Sequence, residues 1–251
     1  MAAEGKTIDA LSQFELTPVF GAVGRAVGFT QSNAHMLIAI GVVSAIMLLG
    51  MRQRALVPGR LQSAAEMFYE FIENLVVGQV GHEGRRYFPF VFALFMFVLF
   101  GNLLGLFPYA FTFTSHIAVT FGLAATVFVV TTAVALALHG RKFFGYFFPE
   151  GAPGWLAPII VPVEVVSYLS RPISLSVRLF ANMVAGHVLL KVFATFVVLL
   201  GGLGAVGPVV AALPLAVNVL LVGFEILVAF LQAYVFAILT CIYLHDAVHL
   251  H

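Results

Sequence analysis

Charged residues are scarce in this sequence. Only 9% of its 251 residues are Asp, Glu, Lys or Arg, whereas 62% are hydrophobic and the mean hydropathy is +1.08. A soluble domain carries about 25% charged residues, so this composition excludes a soluble globular protein and predicts an integral membrane protein. The net charge of +1 gives no basic surface for nucleic acid.

Cysteines and nucleotide-binding motifs are also lacking. The single cysteine, Cys241, excludes an intramolecular disulfide and a cysteine-based metal cluster. Because no GxxxxGK[ST] motif occurs, we expect that the chain does not hydrolyse or synthesise ATP by itself. We predict no cofactor. The N-terminus has no basic region followed by a short apolar core, so the first span is expected to direct insertion.

Long apolar runs define the predicted membrane spans. A bilayer core about 30 Å thick needs about 20 apolar residues per helix. We predict an external segment at 1–33, a first span at 34–50 and a helical hairpin at 87–138. Clusters of basic residues adjoin these spans, namely Arg52, Arg54, Arg60, Arg85, Arg86, Arg141 and Lys142. The positive-inside rule then places the N-terminus outside and the C-terminus in the cytoplasm.

Residues 60–80 differ from the spans because carboxylates recur among their apolar residues. Glu66, Glu70 and Glu73 follow a helical spacing, while the large apolar side chains lie on another face. This pattern predicts an amphipathic helix in the cytoplasmic interface rather than a crossing helix. A connecting helix packed on the rest of the protein is the alternative.

The C-terminal part, residues 155–244, holds two apolar stretches that are each too long for an ordinary span. A helix of about 37 residues would be about 55 Å long, and neither stretch holds the polar turn that two spans would need. We therefore predict two very long, strongly tilted helices. The expected fold class is an all-α integral membrane protein with about five crossing helices and one interfacial amphipathic helix, forming a single domain over 1–251.

Polar residues within the two long helices fall on single helical faces. At about 100° per residue, six of those on the first helix, Arg178 included, form a strip that extends about 40° to either side of Arg178. The six are Glu164, Ser167, Arg171, Ser174, Arg178 and Asn182. On the last helix, Asn218, Glu225 and Gln232 recur every seven residues. Because charged groups in lipid are costly, such stripes are expected to face protein or water.

The order of these residues suggests two separate ion paths. Glu164 lies on the inner side of Arg178, whereas His187 and Glu225 approach the same depth on the outer side. An imidazole and a carboxylate can form a proton relay, and Arg178 is a fixed cation between the two paths. His187 lies half a turn from the stripe, so either the helix bends or the pair meets behind the stripe.

Structural explanations stay open for several of these residues. Polar side chains can simply hold transmembrane helices together, which is an alternative role for Ser167, Ser174 and Asn218. The guanidinium of Arg171 is able to neutralise Glu164 or to reach the lipid headgroups.

The segment SRPISLSVRLFANMVAGH, with the later segment LQAYVFAILTCIYL, resembles the subunit a family, the stator of the membrane sector of rotary ATP synthases. The segments NLLGLFPYAFTFTSHIAVTFGLA and PGRLQSAAEMFYEFI are also similar, so the resemblance covers nearly the whole chain. CIYLHDAVHLH is most similar to versions from alpha-proteobacteria. The resemblance implies a multi-pass protein of the bacterial inner membrane.

The resemblance also implies partners and a rotary mechanism. The two long helices would wrap a rotor ring of c subunits, each with one carboxylate at mid-membrane. By match to the motif, Arg178 would be the essential cation that faces this carboxylate, with Asn182 and Gln232 as neighbouring polar residues. Peripheral-stalk b subunits, the remainder of the ATP synthase complex and the lipid bilayer are the other implied partners. We expect the proton as the transported ion, with sodium as the alternative that the surroundings of the rotor carboxylate would select.

Two half-channels would connect the rotor carboxylates with the two sides of the membrane. Glu164 matches the acid of the cytoplasmic half-channel, to which we also assign Ser167 and Ser174. His187 and Glu225 match the pair of the outer half-channel. Some bacterial relatives carry these two residue types in the opposite order, and the exchange preserves the relay chemistry.

Two other classes of protein are compatible with the polar stripes. A self-contained ion channel or secondary transporter would use them to line a pore, although transporters usually have broken helices in paired halves, and no such repetition is found. A membrane scaffold would use them only to assemble helices. A rotor ring and soluble catalytic subunits should co-purify with a stator, and neither alternative predicts this.

Overall fold

A computed structural model describes residues 14, 18–19, 28–52, 58–107, 110–148 and 154–249. Within these ranges the chain forms six α-helices and no β-strand, apart from an isolated bridge between Pro18 and Thr30. The helices are α1 (Gln31–Gly50), α2 (Arg60–Val80), α3 (Phe88–Gly105), α4 (Ile117–His139), α5 (Ala157–Gly201) and α6 (Gly207–Val248). Most of the predicted external segment 1–33 and Arg54 lie outside the described residues.

Five of the six helices are long and apolar enough to cross a membrane. They are α1, α3, α4, α5 and α6, whereas α2 carries the three glutamates of the amphipathic segment. The predicted all-α membrane fold is therefore confirmed. The placement of α2 in the interface stays a prediction.

The two C-terminal helices are single uninterrupted elements, as their lack of a polar turn predicted. Helix α5 has 45 residues and α6 has 42, so they are about 68 Å and 63 Å long at 1.5 Å per residue. Pro162 and Pro172 lie inside α5, and Pro214 lies inside α6. A proline removes one helical hydrogen bond and favours a bend, which suits helices longer than the bilayer is thick.

Helix α6 is the central element of the packing. It runs along α5 and also contacts α2, α3 and α4. Large side chains of the buried core include Phe95 from α3, Met183 from α5 and Phe236 from α6. Cys241 is buried in the same core, where it acts as a small apolar side chain. The opposite face of α5 is apolar and uncovered, as the exposure of Ile159, Val163, Val166, Leu169, Ile173 and Val177 indicates.

The connection between α3 and α4 folds back against the helices. Its residues 111–115 are all buried, although they lie between two spans. The backbone N–H of Phe111 donates to Nε2 of His35 on α1 at 3.1 Å, and the ring of Phe113 lies against Gly101 of α3. These contacts bring polar side chains of the connection to the middle helices.

Candidate functional site

Arg178 is exposed on the uncovered apolar face of α5. It forms no hydrogen bond or ion pair within the described part of the chain. Ser167 and Ser174 are exposed along the same helix. A guanidinium cannot lose its charge at accessible pH, and an unpaired charge beside lipid is costly. Arg178 is therefore an exposed cation without a counter-charge among the described residues.

Glu164 lies near the N-terminal end of α5 and is half-buried. It has no ion pair with any described residue. The structure does not bring Glu164 together with His187 or Glu225, which lie beyond Arg178 along the helix pair.

Arg171 forms an ion pair with Asp246 rather than with Glu164. Its guanidinium lies 3.2 Å from Oδ2 of Asp246 on α6 and donates to the hydroxyl of Tyr146 at 2.7 Å. The rings of Tyr168 and Tyr243 each lie with their centroids 5.1 Å from the guanidinium carbon. The alternative that Arg171 neutralises Glu164 is therefore wrong. The physical reason is that α6 and the segment Gly140–Phe147 offer a carboxylate, a hydroxyl and aromatic faces together.

The structure brings His187 and Glu225 together. Nδ1 of His187 lies 3.6 Å from Oε1 of Glu225, with both side chains largely buried. A Cβ on Gly186 would approach Oε1 of Glu225 to 2.6 Å, so glycine is the residue that allows α5 and α6 to approach here. Neither carboxylate oxygen of Glu225 has a hydrogen-bond partner among the described residues. The pair thus holds an unsatisfied polar group next to an imidazole.

A cavity of about 250 Å³ opens between α5 and α6 beside this pair. Asn182 from α5 and Glu225 and Gln232 from α6 supply its polar groups, and the rest of its lining is apolar. Asn102 on α3 donates from Nδ2 to the carbonyl of Ala229 on α6 at 3.3 Å. Two residues of the polar stripe predicted for α6, Glu225 and Gln232, therefore border a cavity large enough for several water molecules, whereas Asn218 does not line it.

The buried connection between α3 and α4 also reaches the pair. The hydroxyl of Thr112 lies 2.7 Å from Nε2 of His187. His116, at the end of this connection, stacks on Phe111 with centroids 5.2 Å apart. Burial lowers the pKa of His116 below its usual value, and a hydrogen bond with the backbone of Phe14 opposes this effect. His116 is thus favoured as a neutral imidazole beside the site.

The family model of the ATP synthase A chain matches residues 34–245. The chain belongs to the ATP synthase A chain family. The protein "ATP synthase subunit a" of Granulibacter bethesdensis is 67% identical over 252 residues, covering 100% of both chains. Proteins of the same name from Acidiphilium cryptum and Gluconobacter oxydans are each 58% identical, over 99% and 98% of this chain and 100% and 99% of their own lengths.

These findings confirm the resemblance read from the motif, including its similarity to alpha-proteobacterial versions. Family membership and the five apolar helices together make this chain a multi-pass subunit of the membrane sector.

Sequence reasoning missed two residues that the structure places at the polar clusters. Thr112 lies in a connection without acids, and no periodicity marks a single threonine there. Asp246 is one of few acids at the C-terminal end of α6, so its charge was an available signal for Arg171. Helical spacing favoured Glu164 as the partner instead, because Glu164 and Arg171 lie on one face of the same helix.

Proposed function

We propose that this chain is the stator subunit that conducts protons to and from the rotor-ring carboxylates through two offset half-channels. The observation that carries this proposal is that Arg178 is exposed on the uncovered side of α5 and has no ion pair among the described residues. An apolar surface with one permanent cation suits a partner that is itself apolar and carries a single anionic group. A ring of c subunits, each with one mid-membrane carboxylate, has that chemistry.

The half-channels are assigned from the positions of the polar side chains. Glu164, with Ser167 and Ser174, forms the cytoplasmic half-channel on one side of Arg178. His187 and Glu225 form the outer half-channel on the other side, where the Nδ1–Oε1 distance of 3.6 Å suits proton exchange after a small movement.

Asn182 and Gln232 are the polar residues between the outer pair and Arg178. Both border the cavity of about 250 Å³ that Glu225 also lines. Their amides offer hydrogen bonds to water or to a rotor carboxylate, which extends the outer half-channel toward the rotor surface.

Rotation follows from the order of these groups. A rotor carboxylate that approaches Arg178 is stabilised as an anion and releases its proton into one half-channel. After passing Arg178 it takes a proton from the other half-channel and returns to lipid as a neutral acid. Because the guanidinium does not titrate, it also prevents protons from passing directly between the half-channels.

The proposed topology is a single membrane domain over 1–251, with the N-terminus outside and the C-terminus in the cytoplasm. Five crossing helices, an odd number, would leave the termini on opposite sides. The basic clusters beside α1, α3 and α4 favour a cytoplasmic C-terminus in the bacterial inner membrane. Peripheral-stalk b subunits are further partners, and ATP chemistry belongs to the remainder of the complex.

The test compares wild type with Arg178→Ala in inner-membrane vesicles that contain the whole complex. Arg86→Ala is the control, because Arg86 is also exposed but lies outside the long helices. ATP-driven proton pumping and passive proton leak are measured in each. We expect Arg178→Ala to lose pumping while soluble ATP hydrolysis persists, and added leak would show that Arg178 separates the half-channels. Normal coupled pumping by Arg178→Ala would remove it from the mechanism and refute the proposal.

A further inference from the structure

Thr112 is held between a helix end and the imidazole of the outer pair. Its hydroxyl donates to the carbonyl oxygen of Gly105 at 3.2 Å and lies 2.7 Å from Nε2 of His187. Gly105 is the last residue of α3, where carbonyls have no helical partner. A Cβ at Gly105 would overlap the Thr112 side chain, so glycine allows this approach.

The hydroxyl has a single proton, and this limits its two contacts to two arrangements. In the first, Thr112 donates to Gly105 and accepts a hydrogen bond from Nε2–H of His187. In the second, Thr112 donates to Nε2, and the buried carbonyl of Gly105 has no donor among the described residues. An unpaired buried acceptor is unfavourable, so the first arrangement is favoured.

Protonation of His187 favours the first arrangement further. Both nitrogens of an imidazolium are donors, so Nε2 then requires an acceptor. In the first arrangement Thr112 already accepts from Nε2, and nothing moves when Nδ1 gains a proton. In the second arrangement the hydroxyl would have to rotate at every protonation step.

We propose that Thr112 is a positioning residue that keeps a proton on Nε2 of His187, so that His187 exchanges protons only through Nδ1. This inference rests on the proposed role of the outer pair. In the exchange, the O–H bond of the Glu225 carboxyl group breaks and an Nδ1–H bond forms, giving a carboxylate and an imidazolium. The reverse step restores both neutral groups, and the Nε2–H bond persists throughout.

The proposal changes the role of His187 in the path. A proton passing through an imidazole would enter at one nitrogen and leave at the other. The contacts of Nε2 end at the Gly105 carbonyl, which cannot pass a proton on. His187 is therefore a reversible store for the proton of Glu225, and Glu225 is the group of the pair that exchanges protons with the cavity that Asn182 and Gln232 border.

The first measurement is ATP-driven pumping by the whole complex in vesicles. Thr112→Val removes the hydroxyl at similar volume, and Thr112→Ser retains it. Thr131→Val is the matched control, because Thr131 is also buried and its hydroxyl donates to a backbone carbonyl, that of Phe128 at 3.1 Å. We expect about two- to tenfold slower pumping for Thr112→Val, the range for one lost hydrogen bond. Thr112→Ser and Thr131→Val should stay within about twofold of wild type.

The second measurement reads the tautomer directly, because slower pumping alone also fits a structural role. Nitrogen-15 NMR is recorded on complexes with labelled histidine, over a pH series that reaches neutral His187. The His187 signals are assigned by their loss in His187→Gln. We expect the proton on Nε2 in wild type and in Thr112→Ser, and a mixture of tautomers in Thr112→Val.

A wild-type proton on Nδ1, or an unchanged tautomer in Thr112→Val, would overturn the inference whatever the pumping rate. Failure of the proposed function is a separate result. If His187→Gln pumps normally, His187 has no transport role, while the NMR spectra still decide what Thr112 does to the imidazole.

Discussion

Two arginines lie seven residues apart on α5, and their surroundings differ. Arg171 contacts Asp246, the hydroxyl of Tyr146 and the rings of Tyr168 and Tyr243. Arg178 has no hydrogen bond or ion pair within the described ranges and lies on an exposed apolar face. The charge of Arg171 is neutralised by Asp246, whereas that of Arg178 has no counter-charge among the described residues. The comparison separates a cation with structural contacts from the cation on which the proposed function rests.

The same contrast applies to the polar groups around each arginine. Near Arg171, Tyr168 and Thr132 hydrogen-bond through their hydroxyls at 2.7 Å. Beyond Arg178, both oxygens of Glu225 lack a partner within the described chain. Buried polar groups are normally satisfied, so unsatisfied ones mark the place where water or a second protein is expected.

The largest expected effect comes from removing the unpaired cation while keeping a polar side chain. Arg178→Gln should lower ATP-driven pumping by about 100-fold or more, the size seen when a preorganised electrostatic group is lost. It should leave the thermal stability of the complex unchanged, because Arg178 has no partner in the described chain. Pumping and the unfolding temperature of the purified complex test both statements, and a large drop in stability would contradict the comparison.

The paired cation should show the reverse pattern. Arg171→Gln removes a charged partner of Asp246 and should lower the free energy of unfolding by about 2 kcal/mol, while pumping per assembled complex stays within about twofold. Asp246→Asn is the matched variant. Because the two side chains contact each other, the double variant should lose less stability than the sum of the single losses. Additive losses would show that the ion pair does not couple α5 to α6.

A smaller effect is expected where α5 and α6 approach closely. Gly186→Ala places a methyl group against the Glu225 carboxyl group, which must then leave its present position beside His187. Pumping should fall about two- to tenfold through loss of one interaction of the outer pair. Gly122→Ala on α4 is the control, since nothing lies within 4 Å of its added Cβ. Unchanged pumping in Gly186→Ala would mean that the present position of Glu225 is not required.

Much of this fold was predictable because hydrophobicity alone determines which segments cross a bilayer. The two long helices followed from apolar runs without a polar turn, and Arg178 stood out because a charge far from a helix end is costly in lipid. The contacts of Arg171 were not predictable from helical spacing, since Asp246 and Tyr243 come from another helix. Thr112 was missed because its role depends on a connection that folds back between helices, which no local pattern encodes.

The smallest effect concerns His116. Its ring stacks on that of Phe111, but its Nε2 has no hydrogen-bond partner among the described residues. Burial lowers its pKa in the folded state below the usual 6.5. Above about pH 6.5, His116 is neutral in both the folded and the unfolded protein. As the pH falls below this value, the unfolded protein binds more protons at His116 than the folded protein does, so the free energy of unfolding declines. His116→Phe keeps an aromatic ring without titrating and should reduce this decline slightly. Unfolding temperatures of the complex between about pH 7.5 and 5.5 test this, and an unchanged slope would exclude His116 as a contributor.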